Sequence, residues 1–166
     1  MNYISIAKRK QVMNNNNIDP INDIMERISS VESGGDYQAL GPEVKSGQYA
    51  GERALGRWQT MPGNVKDWSK EALGYSITPE EYLSSPELQN KIVKHQIQKN
   101  YTKYGNADDV ASVWFTGRPV SKAQGAKDVT GTDVNEYVKR FNSAAPTSAP
   151  TGQKRIYTSI ARRMMV

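Results

Sequence analysis

Residues 19–37, DPINDIMERISSVESGGDY, form the stretch of sequence that decides the fold. Asp19 followed by Pro20 is typical of a helix N-terminus, because an Asp side chain caps free backbone N–H groups and proline fits the first turn. Apolar residues then recur at the spacing of one helix face. They are Ile21, Ile24, Met25, Ile28 and Val31. Since Gly34 and Gly35 end this pattern, the stretch predicts an amphipathic helix.

A carboxylate, Glu32, lies where this helix is expected to end. The negative end of the helix dipole and partly apolar surroundings both disfavour its anion, so we expect the pKa of Glu32 to be raised. A raised pKa suits a general acid that works near neutral pH. A solvated glutamate at a helix end is the alternative that this stretch alone leaves open.

Helix signals continue through the rest of the body. A capping residue followed by proline predicts two helix starts, at Thr78-Pro79 and at Ser85-Pro86. The second opens the longest helix, which closes at Gly105. Further helices are predicted over residues 63–73, 107–116 and 132–142, the last capped by Thr132. Residues 35–62 are rich in Gly and polar residues and predict a loop or a short β-hairpin, so the fold class is mostly α with minimal β.

The composition divides the chain into a body with two tails. Residues 1–18 form a basic segment with an Asn-rich spacer, and residues 19–142 form a single domain. Residues 143–153, rich in Ala, Pro, Thr and Ser, predict a flexible linker to a second basic segment, residues 154–166. The first 13 residues carry three basic side chains and the last 13 carry four, with no acid in either. The body between them is slightly acidic, so no basic face for nucleic acid is expected.

The two basic ends repeat one pattern, Y-x-S-I-A-[KR]-R, at residues 3–9 and 157–163. Coincidence between two amphipathic tails is one interpretation. The other is a docking motif used twice, on a partner with repeated identical sites such as a symmetric ring. A membrane-surface role is a weaker option. The predicted docking residues are Tyr3, Ile6, Arg9, Tyr157, Ile160 and Arg163.

Several classes of chemistry lack the residues that they need. The chain has no Cys and one His, His95, and it shows no metal-ligand spacing, so we expect no metal and no cofactor. No apolar run has the length of a transmembrane helix, and residues 1–10 lack the apolar region of a secretory signal.

Four segments of the body resemble one enzyme family. They are ESGGDY at 32–37, ALGRWQTMP at 54–62, VWFTG at 113–117 and Tyr137-Val138. In order and spacing they resemble the lytic transglycosylase and goose-type lysozyme family, with its Glu-Ser, Gly-x-x-Gln-x-x-Pro and Ala-Tyr-Asn-x-Gly motifs. The segment WFTGRP at 114–119, together with TPEEYL at 78–83 and SPELQ at 85–89, is most similar to transglycosylase domains of bacteriophage particles. The resemblance covers residues 20–142 and implies a lysozyme-like fold.

The resemblance also implies roles for individual residues. Glu32 would be the catalytic acid and base that cleaves the bond between N-acetylmuramic acid and N-acetylglucosamine in peptidoglycan, giving a 1,6-anhydro product. Ser33 would support Glu32 or the substrate, and Gln59 would line the sugar groove. Trp58 and Trp114 are candidates for sugar stacking or for the core. Tyr137 belongs to the last motif and is assigned to the substrate site.

Two departures from the family pattern leave alternatives open. Phe115 replaces the usual Asn, and Trp114 replaces the usual Tyr. A catalytically silent structural or adaptor protein of the virion is therefore the second hypothesis. A hydrolytic lysozyme is the third, and it would need a second carboxylate such as Asp36, Glu43 or Glu52. The expected location is a phage virion, in the tail or as an internal virion protein, with both tails docked on a symmetric virion protein and with activity in the bacterial periplasm and cell wall.

Overall fold

The computed structural model of the chain describes residues 19–128 and 131–144. The predicted linker beyond residue 144 and both docking segments lie outside these residues. Within them the chain is mostly helical, which confirms the predicted class. The helices are α1 (Pro20–Glu32), α2 (Pro62–Leu73), α3 (Pro79–Ser84), α4 (Pro86–Tyr104), α5 (Ala107–Thr116), a short 3-10 helix (Val120–Lys122) and α6 (Val134–Ser143).

Residues 35–61 form a loop whose backbone folds back on itself, with the Val44 N–H donating to the Glu52 carbonyl and the Gly41 N–H to the Ala54 carbonyl. In the described part of the chain, pairing between extended segments is limited to isolated antiparallel bridges. Leu55 makes two of these, to Leu40 and to Thr60. The many glycines and polar side chains of this segment give no alternating apolar face that would stabilise a longer ladder.

The helix starts follow the capping residues in the sequence. The Asp19 carboxylate accepts from the Ile21 backbone N–H at 3.0 Å, as predicted. Thr78 forms a capping box with Glu81, so this start is also confirmed. The predicted cap of the last helix, Thr132, is wrong by one residue. The side chain of Asp133 caps α6, and the Thr132 N–H instead donates to the Asp128 carboxylate at 2.9 Å.

Helix α1 supplies one side of the main core. Its apolar face carries Ile24 and Ile28, which are buried against α4, α5 and α6. The largest buried side chains of this cluster are Trp58, Trp114, Tyr137 and Phe141. The helix that ends at Glu32 is therefore held by core packing on several sides.

A second apolar cluster joins α2, α3 and α4. Val65, Tyr82 and Ile92 are fully buried in it. The Tyr82 hydroxyl lies 3.0 Å from the Thr60 hydroxyl, so the buried phenol has a polar partner. This contact fixes the loop that leads into α2 against the short helix α3.

The two ends of the described body lie on the same side. The Arg27 guanidinium donates to the backbone carbonyls of Asn142 and Ala144, at 3.2 and 3.0 Å. Arg27 is about 10 Å along α1 from Pro20, since a helix rises about 1.5 Å per residue. The first described residue, Asp19, and the last, Ala144, therefore both lie beside the first turns of α1.

None of the helices in residues 19–128 and 131–144 is both long and apolar enough to span a membrane.

Candidate functional site

Glu32 and Tyr137 form a buried pair between the first and last helices. Glu32 is the last residue of α1, as predicted, and only 4% of it is exposed. The hydroxyl of Tyr137, on α6, donates to Glu32 Oε1 at 2.7 Å. Tyr137 is itself fully buried. A phenol O–H at this distance makes a short, charge-assisted bond whenever the carboxylate is ionised.

Ser33 shapes the turn that follows Glu32. Its hydroxyl donates to the Arg57 backbone carbonyl at 2.7 Å and accepts from the N–H groups of Gly35 and Asp36. Ser33 has no exposed surface. Ser33 therefore directly follows Glu32, and its hydrogen bond to Arg57 joins the end of α1 to the loop of residues 54–61.

Gln59 lies in this loop with an unusual backbone conformation. Its φ of +50° is the one positive value at a non-glycine residue in the described chain. Such a conformation costs about 1–3 kcal/mol and persists only where the surroundings impose it. The side-chain amide donates to the Gly56 carbonyl at 3.0 Å and to the Ala39 carbonyl at 3.4 Å. Gln59 Oε1 is buried and accepts no hydrogen bond from the described residues, so it is available to a donor on a ligand.

Gln89, on α4, binds the same loop, and the sequence analysis did not identify this residue. Its Oε1 accepts from the Arg57 N–H at 3.0 Å, and its Nε2 donates to the carbonyls of Tyr37 and Tyr82. Gln89 is fully buried. The backbone at Gly56 packs so closely that a Cβ there would clash with this amide. The only signal in the sequence was a polar residue beside apolar neighbours on the longest helix.

Arg57 ties the loop to α1 through its side chain. The guanidinium donates to the Ser29 hydroxyl at 2.8 Å, the Tyr37 hydroxyl at 2.9 Å and the Glu26 carboxylate at 2.6 Å. It also lies over the rings of Tyr37 and Trp58. Arg57 is 8% exposed, so these contacts form a nearly buried network that fixes the loop relative to Glu32.

The two predicted tryptophans lie in the core. Trp58 has no exposed surface, and its indole N–H donates to the Met25 carbonyl at 2.9 Å, so it is a core residue and not a stacking surface. Trp114 is 2% exposed and packs on Trp68, with ring centroids 5.3 Å apart. Unlike Trp58, Trp114 also borders a cleft.

This cleft has a volume of about 380 Å³ and lies between the start of α2 and the facing sides of α4 and α5. Its wall combines aromatic rings with amide and carboxylate side chains. The aromatic residues are Tyr49, Trp68 and Trp114, and the polar ones are Asn64, Asp67, Gln96 and Asn100. Gln96 Oε1 is buried and accepts no hydrogen bond from the described residues. Rings beside the unused amide acceptor of Gln96 suit a polar ligand with flat apolar faces.

Phe115 packs on Tyr137, the hydrogen-bond partner of Glu32. Its ring stacks on the Tyr137 ring with a centroid distance of 4.4 Å and an interplanar angle of 8°. Phe115 is 4% exposed. Phe115 therefore contacts the partner of Glu32 directly.

Two of the other candidate carboxylates contact residues of the same loop. Asp36 accepts from the Gln38 N–H at 2.8 Å, and Glu43 lies 3.6 Å from the Arg53 guanidinium. Glu52 has one buried carboxylate oxygen without a hydrogen-bond partner in the described chain. No group of three or more His, Asp or Glu side chains in residues 19–128 and 131–144 could hold a metal ion.

Comparison of the chain with protein-family models, with curated proteins and with solved structures finds no match.

Gly56→Ala tests the packing of the loop on Gln89. The variant combines a left-handed backbone strain of about 1–2 kcal/mol with an overpacking cost of about 1–3 kcal/mol. Its free energy of unfolding, measured in urea, should therefore be roughly 2–5 kcal/mol lower than that of the parent. Gly74→Ala is the matched control, since Gly74 has a φ of +87° and open space at its Cβ. It should lose only about 1–2 kcal/mol. Equal losses in the two variants would show that Gln89 does not restrict the loop.

Proposed function

We propose that this chain is a peptidoglycan lytic transglycosylase with a lysozyme-like fold. The observation that carries the proposal is the nearly buried Glu32 at the end of α1, hydrogen-bonded to Tyr137 beside the loop of Gln59. A carboxyl in this setting can give a proton to a leaving group and then take one back. The four motif segments that resemble the family include these three residues.

The reaction needs one carboxyl group. Protonated Glu32 gives its proton to the glycosidic oxygen as the bond from C1 of N-acetylmuramic acid to that oxygen breaks. The resulting carboxylate then takes the proton of the C6 hydroxyl of the same sugar, whose oxygen forms a new bond to C1. The products are a free hydroxyl on N-acetylglucosamine and a 1,6-anhydro ring, and no water is consumed.

The neighbours of Glu32 suit these two proton transfers. The Tyr137 hydroxyl donates to Glu32 Oε1, so we assign the transferred proton to the other carboxyl oxygen, Oε2. A hydrogen bond from a phenol stabilises the carboxylate that forms after the first step. Gln59 Oε1 is an acceptor suited to a hydroxyl or an acetamido N–H of the glycan. The cleft bordered by Trp114 is not lined by Glu32, Gln59 or Tyr137, so we assign its rings and amides to the faces and acetamido groups of other sugar units of the glycan.

Glu32→Gln tests the assignment of the acid. The amide keeps the shape of the side chain but cannot transfer a proton, so clearance of purified peptidoglycan should fall by at least about 10²–10⁴-fold. Glu136→Gln is the control, because Glu136 precedes Tyr137 but pairs with Arg140 on the surface. It should clear peptidoglycan like the parent. Clearance by Glu32→Gln at the parental rate would refute the assignment, and an inactive parent would favour the silent structural protein.

We further propose that the repeated ends dock the chain on two equivalent sites of a protein assembly, such as a virion. The repeat supplies an apolar anchor pair, Tyr and Ile, next to a basic pair, which suits an apolar pocket flanked by acidic groups. The described ends leave the body near one another, beside α1. Residues 10–18 and 145–156 reach at most about 30 and 40 Å when extended, which limits the spacing of the two sites.

Photo-crosslinking tests the shared docking motif. A photoreactive phenylalanine analogue replaces Tyr3 or Tyr157 in the full chain, in the particles or cells that contain it. Both positions should crosslink to the same segment of one partner protein. The control position is Tyr75, which is 59% exposed on the body and should not crosslink there. Crosslinks to unrelated segments, or to lipid alone, would contradict a repeated protein site.

A further inference from the structure

We propose that Phe115 is a positioning residue for the acid, because its stacked ring holds the Tyr137 hydroxyl against Glu32. This inference rests on the proposed function for its kinetic consequence. The contact itself is observed independently of that function, as a stack between the rings of Phe115 and Tyr137.

The geometry of the stack gives the physical reason. The two rings are nearly parallel, 8° apart, with centroids at 4.4 Å, so one face of the Tyr137 ring is covered by Phe115. The Tyr137 hydroxyl lies on the axis about which its ring rotates. A turn of the ring about this axis leaves the oxygen in place, whereas a tilt of the ring out of its plane moves it. Phe115 blocks that tilt in one direction.

The hydroxyl has little tolerance for such a movement. Its oxygen is 2.7 Å from Glu32 Oε1, and a shift of less than 1 Å would take it beyond the limit of a hydrogen bond, about 3.5 Å. The two rings come from different helices, Phe115 from α5 and Tyr137 from α6, which pack against each other. An amide at position 115 has no ring to cover the phenol, and its own polar atoms would need partners in a site that is 4% exposed.

The main variant is Phe115→Leu, which stays apolar but removes the flat ring. Its activity is measured on soluble, uncrosslinked glycan strands, beside that of Phe115→Tyr, which keeps a ring. Phe141→Leu is the matched control, because Phe141 is a buried ring of the same core cluster and lies on the same helix as Tyr137. Thermal melting of all variants gives the loss of stability in each.

The expected result separates positioning from stability. Phe115→Leu should lower kcat by roughly 10–100-fold with little change in KM, because the acid is misplaced while the glycan still binds. Phe141→Leu should lower the melting temperature as much or more and leave kcat within about twofold of the parent. Phe115→Tyr keeps the ring but buries an added hydroxyl, so it should lower the melting temperature and still keep most of kcat. An equal fall of kcat in the two leucine variants, or no fall in Phe115→Leu, would overturn the inference.

A crystal structure of Phe115→Leu decides the same point without an activity assay. The distance from the Tyr137 hydroxyl to Glu32 Oε1 should exceed 3.5 Å in the variant and remain near 2.7 Å in the parent. An unchanged distance would overturn the inference. Because this readout does not need catalysis, an inactive parent would refute the proposed function and leave the role of the stack to be decided by the two structures.

Discussion

The hydrogen bond from Tyr137 to Glu32 is the contact on which the rest of the arrangement depends. A carboxyl group that is almost removed from water is costly unless it gains a partner, and the phenol supplies one. The two residues are 105 positions apart in sequence, so the bond forms only when α1 and α6 have packed in the right register. The same packing brings Phe115 of α5 onto the phenol. The core and the candidate site are thus parts of one arrangement.

The loop before α2 is the second part of that arrangement. Gln89 binds it from α4 and Arg57 binds it to α1, so the backbone has few alternatives to the one observed. This over-determination explains how Gln59 is kept at a positive φ. The same packing explains why residue 56 is a glycine, since a side chain there would clash with the Gln89 amide. Rigid support of this kind is what a site needs when it must hold a polar group in one orientation.

Local signals in the sequence were sufficient for the helices. Asp19, Thr78 and Ser85 each cap the helix that they were expected to cap, and Glu32 lies at the end of α1 as predicted. The cap of α6 was a local error, since Asp133 and not Thr132 caps the helix while the Thr132 N–H donates to Asp128. Contacts between distant residues were less accessible. Gln89 bonds to Arg57 and Tyr37, far away in the sequence, and no local pattern predicts these bonds. Likewise, Trp58 could not be assigned to the core until its burial was known, since a tryptophan suits either role.

Mass spectrometry of the fragments released from purified peptidoglycan by the full chain tests the central claim most directly. A single carboxyl group that first protonates the glycosidic oxygen and then takes the proton of the C6 hydroxyl must leave 1,6-anhydro-muramic acid at the new ends, lighter by one water than a reducing end. That product is the expected result. Reducing muramic acid alone would contradict transglycosylation and show that a water molecule attacks, and the absence of any fragments would contradict an active Glu32.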